Sequence, residues 1–200
     1  MPAIEYKKIQ PKTRLQWRTW LEKNHASSPG IWLTYYKKET GKPRILISDA
    51  VEEALCFGWI DSLHKKLDDE KNILKFTPRK PKSVWSGVNK ARIEKLIAAK
   101  KMMPAGTACI AAAKKNGSWD ALTASDAAAA SNQLPADLDK AFAKHKKAKA
   151  NFQQFALSIR KLFLSWIDSA KRPETRAKRI HQTVLMAQAN KKPGITGFKL

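Results

Sequence analysis

Apolar residues recur along the chain with two periods, and the switches between them mark out the elements. From residue 14 to 24, Leu15, Leu21 and either Trp17 or Trp20 form a helical stripe, with Thr13 placed to cap it and Ser27 to Gly30 to break it. Ile31 to Lys38, rich in Trp, Leu, Thr and Tyr, predicts a strand closed by a turn at residues 39–43, and Ile45 to Ile47 predicts a short extended piece. Helical spacing returns with Ala50, Val51, Ala54, Leu55 and Phe57, capped by Ser48 or by Asp49 in a capping box with Glu52, and stopped by Gly58. Residues 59–67 and 73–77 predict two antiparallel strands around the charged turn 68–72. Alternation puts Trp59, Asp61, Leu63 and Leu67 on one face.

Pro78 and Pro81 hold their segment extended, and a helix follows from Ser86 with Val88, Ile93, Leu96 and Ile97 as its apolar face. Pro104 opens another, which stops at Asn116 and Gly117. Residues 120–134 are Ala-rich with Leu122 and Leu134 their only large apolar side chains, which predicts a linker or weak helix. Beyond them come a short helix with Leu138 and Phe142, one with Phe152 and Phe155, and one with Ile159, Leu162, Phe163, Trp166 and Ile167. A last helix from Pro173 turns Ala177, Ile180 and Val184 inward. Residues 191–200 read as a loose tail. The fold class is α+β: a small antiparallel sheet with packed helices over residues 1–119, the linker at 120–134, then a helical bundle over 135–190.

Composition adds a partner class. Two hundred residues, 43% of them hydrophobic and with seven Trp and seven Phe, suffice for a core. Against 39 Lys and Arg stand 17 Asp and Glu, a formal charge of +22 that points to anionic partners. The excess is +2 over residues 1–70 (12 basic, 10 acidic), +10 over 71–120 (12 and 2) and +10 over 121–200 (15 and 5). Cys56 and Cys109 lack any paired spacing, which argues against a disulfide scaffold. No signal-peptide run and no span of about 18 apolar residues is present, so a cytoplasmic protein without a transmembrane segment is expected.

Asp61 on a mainly apolar face needs a partner, and Arg79 at the end of the hairpin is the candidate, either to hold the hairpin or to meet a ligand. The unpaired amides opening the helix at Ser86, ringed by Arg79, Lys80, Lys82 and Ser83, suit a phosphate or carboxylate, with Trp85 beside them to stack on a ring. Equally, Ser86 serves as an N-cap and Trp85 as core. His25, His64, His145 and His181 are scattered without metal-ligand spacing, so neither metal nor cofactor is called for. His64 lies in the first hairpin strand, pointed away from Asp61 by alternation. Glu52 and Glu53 fit a solvated helical turn, and no phosphate loop or nucleophile elbow occurs, so an enzyme is not favoured.

The run Ala54 to Asp61 (ALCFGWID), the run Phe76 to Pro81 (FTPRKP) with Ser83, Trp85, Ser86 and Asn89, and the later Trp166 to Arg176 (WIDSAKRPETR) resemble the YdeI/OmpD-associated, bacteriocin-protection-like family over nearly the whole chain. The resemblance implies a link to bacteriocin protection and to an outer-membrane porin, without a reaction, and maps the motif onto Trp59, Asp61, Arg79, Ser83, Trp85 and Asn89. The missing export signal departs from a direct porin contact.

Three functions follow. The first is a non-enzymatic binding protein in bacteriocin or envelope-stress protection, taking a small anion or a protein partner at Trp59, Asp61, Arg79, Ser83, Trp85, Ser86 and Asn89. The second is a nucleic-acid-binding protein using the basic stripe Arg172, Arg176 and Arg179, spaced i, i+4, i+7. The third is an enzyme on a small anionic substrate, with Asp61 as acid or base and Arg79 as clamp.

Overall fold

Four strands in the first half of the chain hydrogen-bond in the order β1-β2-β4-β3 in the computed structural model, which describes residues 5–131, 133–194 and 197–198. They are β1 (Lys7–Ile9), β2 (Ile31–Tyr36), β3 (Trp59–Lys66) and β4 (Lys71–Pro78). β2 and β3 both run antiparallel to β4, but β1 runs parallel to β2, with Lys8 opposite Trp32. The sheet is therefore mixed, not antiparallel throughout. A parallel neighbour requires a crossover, and α1 (Arg14–Asn24) supplies it. With two lysines in three residues, β1 carries no strand pattern of its own.

The chain divides into two compact units, Met1–Trp119 and Asp120–Leu200. In the first, Thr13 caps α1 by accepting from the Gln16 amide. Trp17 and Leu21 turn inward, and Leu15 is left 72% exposed. α2 (Ile47–Cys56) begins at Ile47, so residues 45–47 form no strand and no side chain caps the helix. Asp49 and Glu52 reach Arg14 instead, at 3.3 and 2.8 Å, because a guanidinium on the facing helix outbids a local amide. Ile31, Leu33, Tyr35, Leu74, Phe76 and Trp59 on the inner face of the sheet share a core with Trp17, Leu21, Ala54 and Leu55. Two of the buried indoles donate to main-chain carbonyls: Trp17 Nε1 to Ala50 O at 2.9 Å and Trp59 Nε1 to His25 O at 3.1 Å.

β3 is irregular between Asp61 and His64. Asp61 pairs with Phe76 and His64 with Leu74, two core-face positions, so the bulge brings both side chains to the same side of the sheet. Strict alternation would have separated them, and it likewise fails for Leu63 and Leu67, which are exposed. α3 (Gly87–Ala98) buries Ile93 and Leu96 while Val88 and Ile97 face solvent. α4 (Pro104–Lys115) crosses the end of α2 at Gly106, where a Cβ would stand 2.3 Å from Cys56 O.

The second unit comprises α5 (Thr123–Ser131), α6 (Ala136–Ala143), α7 (Lys146–Gln154), α8 (Leu157–Asp168) and α9 (Pro173–Gln188). Its core joins Leu138, Phe142, Phe152, Phe155, Phe163, Leu164, Ile167, Ile180 and Val184. The Ala-rich segment is no bare linker: α5 packs on α8, Ala128 reaches the core, and Lys161 pairs with Asp126 at 3.2 Å. Small side chains, too few to suggest a buried face, allow that close approach. Of the final residues Phe198 is packed as well, stacked on Trp166 with ring centroids 4.0 Å apart.

Candidate functional site

Where β4 runs out at Pro78, the Arg79 amide donates to Gly58 O at 2.9 Å and ties the end of the hairpin to the turn after α2. Gly58 has φ +72°, and a Cβ there would lie 2.7 Å from Cys109 Sγ, so both backbone conformation and the approach of α4 require glycine. The following loop is pinned from α4: Asn116 Nδ2 and Ser118 Oγ donate to Pro81 O at 2.8 and 3.4 Å, and the Ser83 amide closes a turn on Lys80 O at 2.9 Å. Trp85 is 1% exposed and packs on Trp119, ring centroids 5.0 Å apart.

These contacts leave a cavity of about 210 Å³, walled by Arg79, Lys80, Pro81 and Trp85 on one side and by Ala108, Cys109 and Ala112 of α4 on the other. The Arg79 side chain is 7% exposed. Its Nη2 donates to Val84 O at 2.5 Å and its Cζ lies 3.6 Å from the Trp85 ring centroid, but Nε and Nη1, both buried, have no hydrogen-bond partner. Burial pulls the guanidinium well below its usual range, to about 10, with Cys109 and Asp61 offsetting part of that cost. Burial also pushes the Cys109 thiol up, against the opposing charge of Arg79. The cavity is thus lined by one cation that carries two idle donors, by an aromatic side chain and by apolar walls.

The residues singled out from the sequence do not converge on one spot. Arg79 and Trp85 line the cavity. Asp61 and Ser83 line a separate open groove of about 410 Å³ with Thr77 and Lys82, and Lys80 borders both. Asp61 therefore acts on Arg79 through its field and gives it no hydrogen bond. Ser86 caps α3, accepting from the Asn89 amide at 3.3 Å, and Asn89 Oδ1 accepts from Arg92 at 2.9 Å. Trp59 lies in the core, 1% exposed. His64 Nε2 sits 2.6 Å from the Tyr35 hydroxyl. Cys109, Ala108 and Ala112 carry no signal of their own, because Ala and Cys at helical spacing resemble any helix; Gly106, in the first turn of α4, is a sign of a close approach.

Two arginines of the α9 stripe are engaged within their own unit. Arg176 holds Asp137 at 2.5 Å and Asp168 at 3.0 Å, and Arg179 donates to Trp166 O and, at 2.7 Å, to Ser169 Oγ. Arg172 is the exposed N-cap.

Fold and site together define an α+β unit with a buried-arginine cavity, followed by a helical unit. Residues 9–109 match a family model described as a domain of unknown function (DUF8412), just over half of the chain, and the protein belongs to that family. Residues 132–190 match the family described as bacteriocin-protection, YdeI or OmpD-associated. That match lies in the helical unit, so the motif residues from Trp59 to Asn89 fall within the domain of unknown function. No curated protein and no solved structure matches the chain. No helix among the described residues is long and apolar enough to cross a membrane.

Proposed function

We propose that this is a non-enzymatic binding protein whose first unit takes a small anion with an apolar body, a carboxylate or phosphate monoester, into the Arg79 cavity. The observation that carries this reading is the pair of buried, unpartnered donors on Arg79, a residue that lines a walled space. A buried polar group without a partner costs about 1–3 kcal/mol, more when charged, and an anion returns that cost. Trp85 and the alanines of α4 supply the apolar contact, and Lys80 stands at the rim. The YdeI or OmpD-associated match supports a role for that binding in protection against bacteriocin or envelope stress. Two free cysteines, Cys56 and Cys109, support a cytoplasmic setting.

Calorimetry and thermal melting with benzoate, hexanoate, phenyl phosphate, inorganic phosphate and neutral benzamide test the reading. Saturable binding of at least one organic anion, absent for benzamide and lost in Arg79→Met, is the expected result. A ligand at 100 times its Kd adds about 2.7 kcal/mol of stability, well within reach of a melting curve. No binding across the panel at millimolar concentration, or equal binding by Arg79→Met, overturns it.

A further inference from the structure

The outer face of the sheet interleaves aromatic and basic side chains. Residues opposite one another in adjacent strands share a face, so Lys8, Trp32, Lys75 and, further along, Tyr36 and Lys71 all point away from the core. Thr34 and Ile73 pair between them. Both are buried, and Ile73, though hydrophobic, lies outside the core cluster, as the register of the outward side requires. Lys65, opposite Ile73, joins this side from β3. Tyr6 completes it: its ring lies against Gly30, where a Cβ would come within 2.7 Å of it.

Each aromatic ring on this face carries a lysine. Lys75 Nζ is 3.9 Å from the Tyr6 centroid, Lys65 Nζ 5.5 Å from that of Trp32, and Lys71 and Lys42 Nζ 4.9 and 5.0 Å from that of Tyr36. None of the strand positions on this face is acidic. Glu70, in the hairpin turn at its end, is held by Lys42 at 2.6 Å. Trp32 and Tyr36, four residues apart on one strand, stand about 13 Å from each other at the usual strand rise.

We infer that the outer face of the sheet, with Tyr6, Trp32 and Tyr36 as stacking platforms and Lys8, Lys65, Lys71 and Lys75 between them, is a binding surface for single-stranded nucleic acid. Bases stack on exposed rings irrespective of sequence, and the intervening positive charge follows the phosphates. A lysine ammonium resting on a ring is easily displaced, since its four-carbon stem lets it swing to a neighbouring phosphate while the base takes its place. A duplex hides the faces of its bases and cannot use the rings. The surface is distinct from the Arg79 cavity and from the engaged arginines of α9.

The test is fluorescence anisotropy of the full chain with labelled 12-nucleotide dT and rU strands at about 50 and 200 mM salt, alongside an abasic 12-mer and a 12-base-pair duplex. Single strands are expected to bind best. The double variant Trp32→Ala/Tyr36→Ala should weaken them at least about tenfold, and Trp32→Phe should retain most of the affinity. Lys65→Gln/Lys75→Gln should flatten the salt slope by about 1.4. Arg79→Met should change nothing, which separates failure here from failure of the anion cavity. Equal binding of the abasic strand or the duplex, or an unchanged affinity in the alanine pair, overturns the inference. Should the alanine pair melt early, the surface lysine pair decides, and an unchanged salt slope overturns it.

Discussion

Arg79 places its Cζ 3.6 Å from the centroid of the Trp85 ring while two of its three nitrogens, Nε and Nη1, meet no partner. Stacking and a single bond to Val84 O recover only part of what the guanidinium loses on leaving water. Replacing an imperfectly paired buried charge by an apolar side chain of similar length is often neutral or stabilising, by about 1–4 kcal/mol. Arg79→Met is therefore expected to leave the urea midpoint unchanged or raise it, while abolishing organic-anion binding. A loss of more than about 1 kcal/mol together with retained binding would show that the arginine is structural.

The same burial sets a pH dependence. With Arg79 drawn down to about 10, its protonated form, the one that binds an anion, persists through neutral pH and is lost as pH rises past that value. Benzoate affinity should stay level between about pH 7 and 9 and then fall, approaching tenfold per unit above about 10. The folded-state value lies below the unfolded one, so the folded chain holds fewer protons in the window above 10. This group then makes stability rise with pH there. Calorimetry across pH 7 to 11 in matched salt reads the first effect, and Arg79→Met should show no such fall.

Local grammar was legible where one strong signal acted alone: Thr13 caps α1, Gly58 ends α2, and the two strands around the turn at residues 68–72 pair as a hairpin. Signals failed where a distant partner decided. The Asp49 capping box lost its carboxylates to Arg14, one bulged position after Asp61 returned His64 to the face of Asp61, and β1 became a strand only because β2 offered it an edge. Arg79 and Trp85 could be picked out by type and position, but the facing wall of Ala108, Cys109 and Ala112 depends on how α4 crosses α2, which no local pattern encodes.

Glu53 is the clearest instance of such a distant partner. It resembled one of a pair of solvated acids, yet it is 2% exposed and clamped by Arg14 Nε at 2.5 Å and Arg18 Nη1 at 2.8 Å. Removing one member of a buried ion cluster strands the others, at about 3–5 kcal/mol. Both arginines keep some contact with water, so Glu53→Ala should cost about 3 kcal/mol in urea denaturation, and Glu53→Gln somewhat less. A loss under about 1 kcal/mol would mean that the arginines relax freely into solvent.

Gly106 and Gly58 resist a methyl group for different reasons and to different degrees. At Gly106 the added carbon meets the Cys56 carbonyl oxygen at 2.3 Å and the Leu55 carbonyl oxygen at 2.7 Å, all backbone and nothing flexible to yield. Gly106→Ala should cost more than about 2 kcal/mol and displace α4. Gly58→Ala faces a left-handed backbone, about 1–2 kcal/mol, the Cys109 thiol at 2.7 Å and the Ala105 carbonyl oxygen at 3.1 Å. It should leave a folded protein with an altered anion affinity. The ranking, read by thermal melting, reverses only if α4 is free to shift along α2.

Cys109 and Cys56 should differ sharply towards alkylation, although burial raises both thiols. Cys56 is wholly buried, and its thiol is pushed up to about 11 by desolvation and by the nearby Glu53 carboxylate. Cys109 is partly exposed and lines the cavity. Iodoacetamide at about pH 8.5 should modify one thiol per native chain, identified as Cys109 by peptide mass, and both in urea, since only the thiolate reacts and only where the reagent can reach it. Saturating benzoate should slow the native reaction several-fold in the parent protein and leave the rate in Arg79→Met untouched, because protection requires the anion to be held. Protection that persists in Arg79→Met would mean that benzoate shields the thiol from some other place. Labelling of Cys56 in the native chain would mean that α2 and α4 part far more readily than their glycine contact implies.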